Sequence, residues 1–112
     1  MKQFPPLSPA ALHILLALAA EDMHGYGIMR EVLERTDGSV RLWPATLYGS
    51  LKKLIGSGLI EESEERPAPE LDDARRRYYK LTRLGRRVLD MECERLEELV
   101  RVAHKKRKAE AY

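Results

Sequence analysis

Pro44-Ala45-Thr46-Leu47-Tyr48-Gly49-Ser50-Leu51-Lys52-Lys53-Leu54-Ile55-Gly56-Ser57-Gly58 is the stretch on which the fold turns. Pro44 suits the first position of a helix, where its missing N–H would have no partner anyway. Leu47, Leu51, Leu54 and Ile55 recur at i, i+4, i+7 and i+8, the spacing of one apolar helical face. Gly56-Ser57-Gly58 supplies the glycine that closes such a helix. Advancing about 100° per residue sets Ala45, Gly49 and Gly56 opposite the stripe, flanked by Thr46, Lys52 and Lys53, with Tyr48 on the boundary. A glycine inside a helix costs about 1 kcal/mol relative to alanine, so Gly49 asks for a reason. Two readings fit. Either the helix lies in a major groove, small residues admitting base edges and lysines reaching phosphates, or the face is solvated and the glycine tolerated.

Upstream, Ser8-Pro9 caps a helix over residues 9–20, with Leu12, Leu15, Leu16 and Ala19 on one face and Ile14 and Leu18 adding a second apolar side. His13 on that helix reads as structural. Residues 21–24 read as a turn. Gly25–Arg35 forms a second helix with the stripe Ile28, Met29, Val32 and Leu33, stopped by Thr36-Asp37-Gly38-Ser39. Val40-Arg41-Leu42 reads as a brief strand. The free amides at the start of the second helix attract anions, which makes His24, Gly25 and Tyr26 candidates for a phosphate contact. Tyr26 itself reads better as packed beneath the first helix.

Downstream, residues 59–65 and 76–81 read as two strands of a β-hairpin joined by a polar loop containing Pro67 and Pro69. Thr82 caps a long last helix reaching Lys108. Its apolar residues Leu89, Cys93, Leu96, Val100 and Ala103 are spaced 4, 3, 4 and 3, beside a row of Leu84, Val88, Met91, Leu99 and Val102. Heptad-like spacing over that length exceeds what a small domain needs for its own core, and such a seam meets a partner helix, most simply its own copy. The order of elements predicts a mainly α fold with a small β-hairpin: a winged helix-turn-helix over residues 1–81 and a C-terminal dimerisation helix over 82–112.

The chain has 112 residues, 44% hydrophobic and 34% charged, enough for one domain with a modest core and too apolar for a disordered chain. No apolar run approaches the ~18 residues of a membrane span, and no leader pattern precedes Ile14–Ala20, so a cytoplasmic protein without a membrane partner is expected. The lone Cys93 offers neither an internal disulfide nor a zinc knuckle, and His13, His24 and His104 lack metal-ligand spacing. No cofactor or metal is expected. With no nucleophile elbow or phosphate loop either, an enzyme is not expected. The net charge of +2 hides an asymmetry: residues 61–74 carry −6 and residues 75–87 carry +7. Arg75, Arg76 and Arg77 therefore stand as wing residues that either clamp DNA or pair across the hairpin with Glu61, Glu62, Glu64 and Glu65.

Three stretches resemble the PadR family of bacterial transcription regulators: His24-Gly25-Tyr26-Gly27-Ile28, Thr46-Leu47-Tyr48-Gly49-Ser50-Leu51-Lys52-Lys53-Leu54 continuing to Gly58-Leu59-Ile60, and Arg76-Arg77-Tyr78-Tyr79-Lys80-Leu81-Thr82 with Gly85. The resemblance implies a winged helix-turn-helix that dimerises through its last helix and represses promoters. A single C-terminal helix is similar to the smaller subfamily, in which effectors bind at or near the dimer interface. On that likeness Thr46, Tyr48, Gly49, Lys52 and Lys53 lie on the recognition helix. Ala45 departs from the family's usual glycine, the wing loop is unusually acidic, and the last helix lacks the tryptophans that sandwich flat drugs in some members. The resulting expectation is a homodimeric repressor on double-stranded DNA with a roughly palindromic operator and a possible small-molecule effector. A protein-interaction module without direct DNA binding is the alternative, and a ligand sensor dominated by its effector pocket is a third class.

Overall fold

In the computed structural model, which describes residues 4–63 and 77–111, Ser8 accepts the Ala11 N–H at 3.1 Å and Pro9 opens α1 (Pro9–Leu18). A two-residue strand β1 (Met23–His24) leads into α2 (Gly25–Arg35), and α3 (Pro44–Gly56) follows. Strands β2 (Ile60–Glu62) and β3 (Tyr78–Leu81) precede α4 (Arg83–Ala111). The sheet is antiparallel in the order β1-β3-β2, with Met23 opposite Tyr79 and Ile60 opposite Leu81. The predicted hairpin is thus two-thirds of the observed sheet. Residues 21–24 are not all turn, because Met23 and His24 add a third strand too short to leave a period-two pattern.

The core lies between α1, α2 and α3, closed by the sheet and the start of α4. Ile14, Leu15, Ile28, Val32, Leu47 and Leu51 are its most buried side chains. On α1 the deeper side is Ile14, Leu15, Ala17 and Leu18; of the face picked out by spacing Leu15 is buried, whereas Leu12, Leu16 and Ala19 are only half-buried. On α3, Leu47, Leu51 and Leu54 are buried but Ile55 is exposed, which narrows the stripe by one residue. Val40-Arg41-Leu42 has the in-out alternation of a strand, with Leu42 buried and Arg41 exposed, but no strand partner among the described residues, and it is an extended connection. Thr36 Oγ1 fixes its start by accepting the Val40 N–H at 3.1 Å.

Two junctions hold the C-terminal end of α3. Gly58, at φ +77°, donates to Ile55 O while Leu59 donates to Leu54 O, both at 3.0 Å, so the last carbonyls of α3 are satisfied as β2 begins. Thr82 then joins three elements: its hydroxyl donates to Gly58 O at 2.6 Å and accepts the Gly85 N–H at 2.9 Å, and its amide donates to Leu59 O. A Cβ on Gly85 would sit on top of the Leu59 carbonyl oxygen, so only glycine lets α4 start this close to the α3–β2 turn. Arg86 donates to Ala19 O at 3.0 Å, placing a cation at the C-terminal end of α1. One turn and a half further along α4, Glu92 is 6% exposed, accepts the Leu7 N–H at 2.9 Å and is held by the Arg95 guanidinium. That guanidinium is the main reason the Glu92 carboxyl stays below its ordinary range.

Candidate nucleic-acid interface

α3 presents one face to the core and the opposite face to open space. Thr46, Tyr48, Gly49, Lys52 and Lys53 are all exposed. A Cβ built on Gly49 meets nothing within 4 Å, so the glycine answers no packing demand inside the chain. Among the described residues neither Lys52 nor Lys53 is paired with a carboxylate. The face is therefore small in the middle and cationic at its margin, the form needed to bring a helix backbone near a polyanion.

The N-terminus of α2 abuts this face. A Cβ on Gly25 would fall 2.8 Å from the Tyr48 hydroxyl, so glycine at this position lets the aromatic ring of α3 lie against α2. His24 caps α2, Nδ1 accepting the Gly27 N–H at 2.9 Å, and its ring meets Tyr78 edge-on at 5.2 Å. One of the amides expected to attract an anion is thus already occupied. Sequence reading missed this cap because histidine is not among the usual capping residues. Tyr26 is 61% exposed, so it does not pack beneath α1. A first-turn side chain on the outer side of α2 points away from the core, and the buried role falls to Ile28 and Val32.

Across from Tyr26 the connection into α3 carries two residues that periodicity did not single out. Trp43 is 61% exposed, and the Arg41 guanidinium lies over its ring at 5.1 Å. The signal was there: the only tryptophan of the chain directly precedes the helix-opening proline.

On the wing, Arg77 pairs with Glu62 at 3.0 Å and Lys80 with its register partner Glu61 at 3.7 Å. Cross-strand pairing therefore takes Arg77. Exposed pairs of this kind contribute roughly 0–1 kcal/mol and yield readily to a stronger anion. Arg75 and Arg76, with Glu64 and Glu65, lie outside the described residues. Along α4, Leu89 is buried in the chain's own core, which removes it from any outer seam. Cys93 and Leu96 are half-buried, while Val100 and Ala103 are exposed together with Leu99 and Val102. Among the described residues no group of three metal-ligating side chains converges, and no helix is long and apolar enough to cross a membrane.

The pattern of the transcriptional regulator PadR-like family matches residues 14–91, from α1 to the first turns of α4. The chain belongs to that family. A transcriptional regulator of Mycobacterium tuberculosis is 37% identical over 90 residues, covering 80% of this chain and 78% of that protein. The chain spans 24% of the length of one longer curated relative. A PadR family regulator from Clostridium difficile superposes with a TM-score of 0.73 at 27% identity, covering 88% of this chain and 97% of that one. Bacillus subtilis PadR, solved in complex with operator DNA, superposes with a TM-score of 0.59 at 25% identity over 71% of this chain and 44% of that one. The fold is accordingly the PadR-like winged helix, mostly helical with a small three-stranded antiparallel sheet.

Proposed function

We propose that this PadR-like chain binds duplex DNA through α3 as a homodimer and represses transcription from the promoters it occupies. The observation that carries the reading is the outer face of α3, where Gly49 touches nothing and Lys52 and Lys53 are unpaired among the described residues. A rigid three-helix core behind that face holds it at fixed orientation, and a solved relative in complex with operator DNA supports the same use here. Residues 1–81 read the DNA and residues 82–112 join two chains. The joining surface begins where Leu89 leaves the core and runs through Cys93, Leu96, Val100 and Ala103, with Leu99 beside them and the half-buried Leu12 and Leu16 of α1 as a second contributor. A site of action in the cytoplasm follows from the partner.

Release by a small molecule is the regulatory half of the proposal. A cavity of about 360 Å³ between the N-terminal segment and α4, lined by Phe4, Leu7, Val88, Met91 and Arg95, lies at the foot of the joining surface. An occupant there would tilt α4 and change the spacing of the two recognition helices.

The test is a salt titration of duplex binding. Each lysine that neutralises a phosphate contributes about one to the slope of log affinity against log salt. Lys52→Ala with Lys53→Ala removes four lysines from each bound homodimer, so it should weaken binding to every duplex and flatten the slope by about four. A double variant with the wild-type slope contradicts the assignment of α3.

A further inference from the structure

Beside the recognition face lies a cleft of about 280 Å³ between α2 and the connection that leads into α3. Its α2 wall is Tyr26, Met29, Arg30 and Leu33, the i, i+3, i+4, i+7 row of one helical face, and its other wall is Arg41 and Trp43. Among the described residues no carboxylate lines it. Arg30 is held by Glu34 at 3.1 Å on the exposed surface, whereas Arg41 makes no ion pair among the described residues and rests on the Trp43 ring. A large exposed indole is costly to leave in water, and a guanidinium on its face keeps all its in-plane N–H donors directed outward. The Arg41 guanidinium thus stands against the indole with no ion-pair partner among the described residues. The cleft is also continuous with the recognition face: Tyr48 of α3 lies against Gly25, the next residue is Tyr26, and Trp43 precedes the first turn of α3.

We infer that this cleft is a backbone clamp for the same duplex that α3 reads, in which Arg41 grips a phosphate and the Trp43 ring packs on the neighbouring deoxyribose. The inference rests on the DNA reading and adds to it a contact outside α3. Charge complementarity and continuity with the α3 face select a DNA strand as occupant. Arg41 supplies one charge-assisted fork to a phosphate, and Trp43 supplies apolar contact together with the restraint on Arg41. Neither contact reads base identity, so the clamp sets affinity and register and leaves sequence choice to α3.

The experiment uses the full chain and a duplex chosen by in vitro selection. Because Trp43 is the only tryptophan, its emission reports the cleft alone. Saturating duplex should quench or blue-shift that emission. Arg41→Ala should weaken binding by about tenfold and flatten the salt slope by about two, one for each chain of the homodimer. Trp43→Ala should weaken it by about tenfold at an unchanged slope, since it removes no charge, and Trp43→Phe should restore most of the loss. Both side chains are exposed, and matching thermal melts for the variants exclude misfolding as the cause. Variants that bind within twofold of wild type, or a Trp43 emission indifferent to saturating duplex, overturn the clamp. So does an emission that responds to a planar aromatic anion such as naphthoate and not to DNA. Wild-type binding is measured first: its absence removes the DNA reading itself, whereas wild-type binding with an unmoved Trp43 removes only the clamp.

Discussion

Gly49 and Gly85 are both helical glycines, and they occupy opposite situations. Gly85 is required from within, because any Cβ there collides with the Leu59 carbonyl at the junction that Thr82 ties together. Gly85→Ala should cost about 3 kcal/mol or abolish folding, read by urea unfolding. Gly49 faces open space, so Gly49→Ala should stabilise the fold by up to about 1 kcal/mol through helix propensity alone. The same methyl stands between α3 and the groove floor, so duplex affinity should fall as stability rises. A Gly49→Ala chain that is more stable and binds DNA as tightly as wild type would return Gly49 to the status of a tolerated surface glycine. The five residues expected to matter on α3 could be found by counting around the helix. Trp43 and Arg41 could not, since they precede the helix and have no period to belong to.

Among the elements, those with long periodic patterns were legible and those fixed by tertiary partners were not. The bounds of α2 and α3 follow from proline, glycine and apolar spacing. β1 is two residues long and exists because β3 offers an edge at Met23 and His24. The apparent strand at residues 40–42 has the right alternation and lacks a partner among the described residues. The long α4 shows both behaviours. Val88 and Leu89 close the core, and Glu92 is drawn into it by the Leu7 amide and Arg95, a contact spanning almost the whole chain that no local pattern announces. Arg95 chiefly, and the Leu7 N–H after it, hold the Glu92 carboxyl below its ordinary value of 4.5, against the opposing effect of burial. A carboxyl depressed in the folded state contributes stability that is present above its ordinary value and is lost as the pH falls below it. Glu92→Gln should therefore lower the melting temperature at pH 7, and the gap from wild type should close as the pH is taken down through 4 toward 3. A gap that stays constant across that range would show that the charge on Glu92 contributes nothing.

At the scale of the whole molecule the chain is elongated, 63 × 36 × 23 Å, because α4 runs 29 residues and continues past the core. Residues 97–108 are all exposed, and Leu99, Val100 and Val102 are apolar among them, with Val100 at 54%. This exposed row is the surface along which the proposed homodimer would be joined. Leu99→Glu with Val100→Glu should leave the helix-turn-helix folded and reduce the sedimenting species from two chains to one. Duplex affinity should fall with it, since one chain fills only half of a site. In the proposed homodimer the two α3 helices would lie one DNA turn apart, about 34 Å. Hydroxyl-radical footprinting of the wild-type chain on its selected duplex measures that spacing directly. The account predicts two protected patches related by a dyad, their centres about ten base pairs apart. A single protected patch, or no protection where α3 is meant to lie, would contradict it.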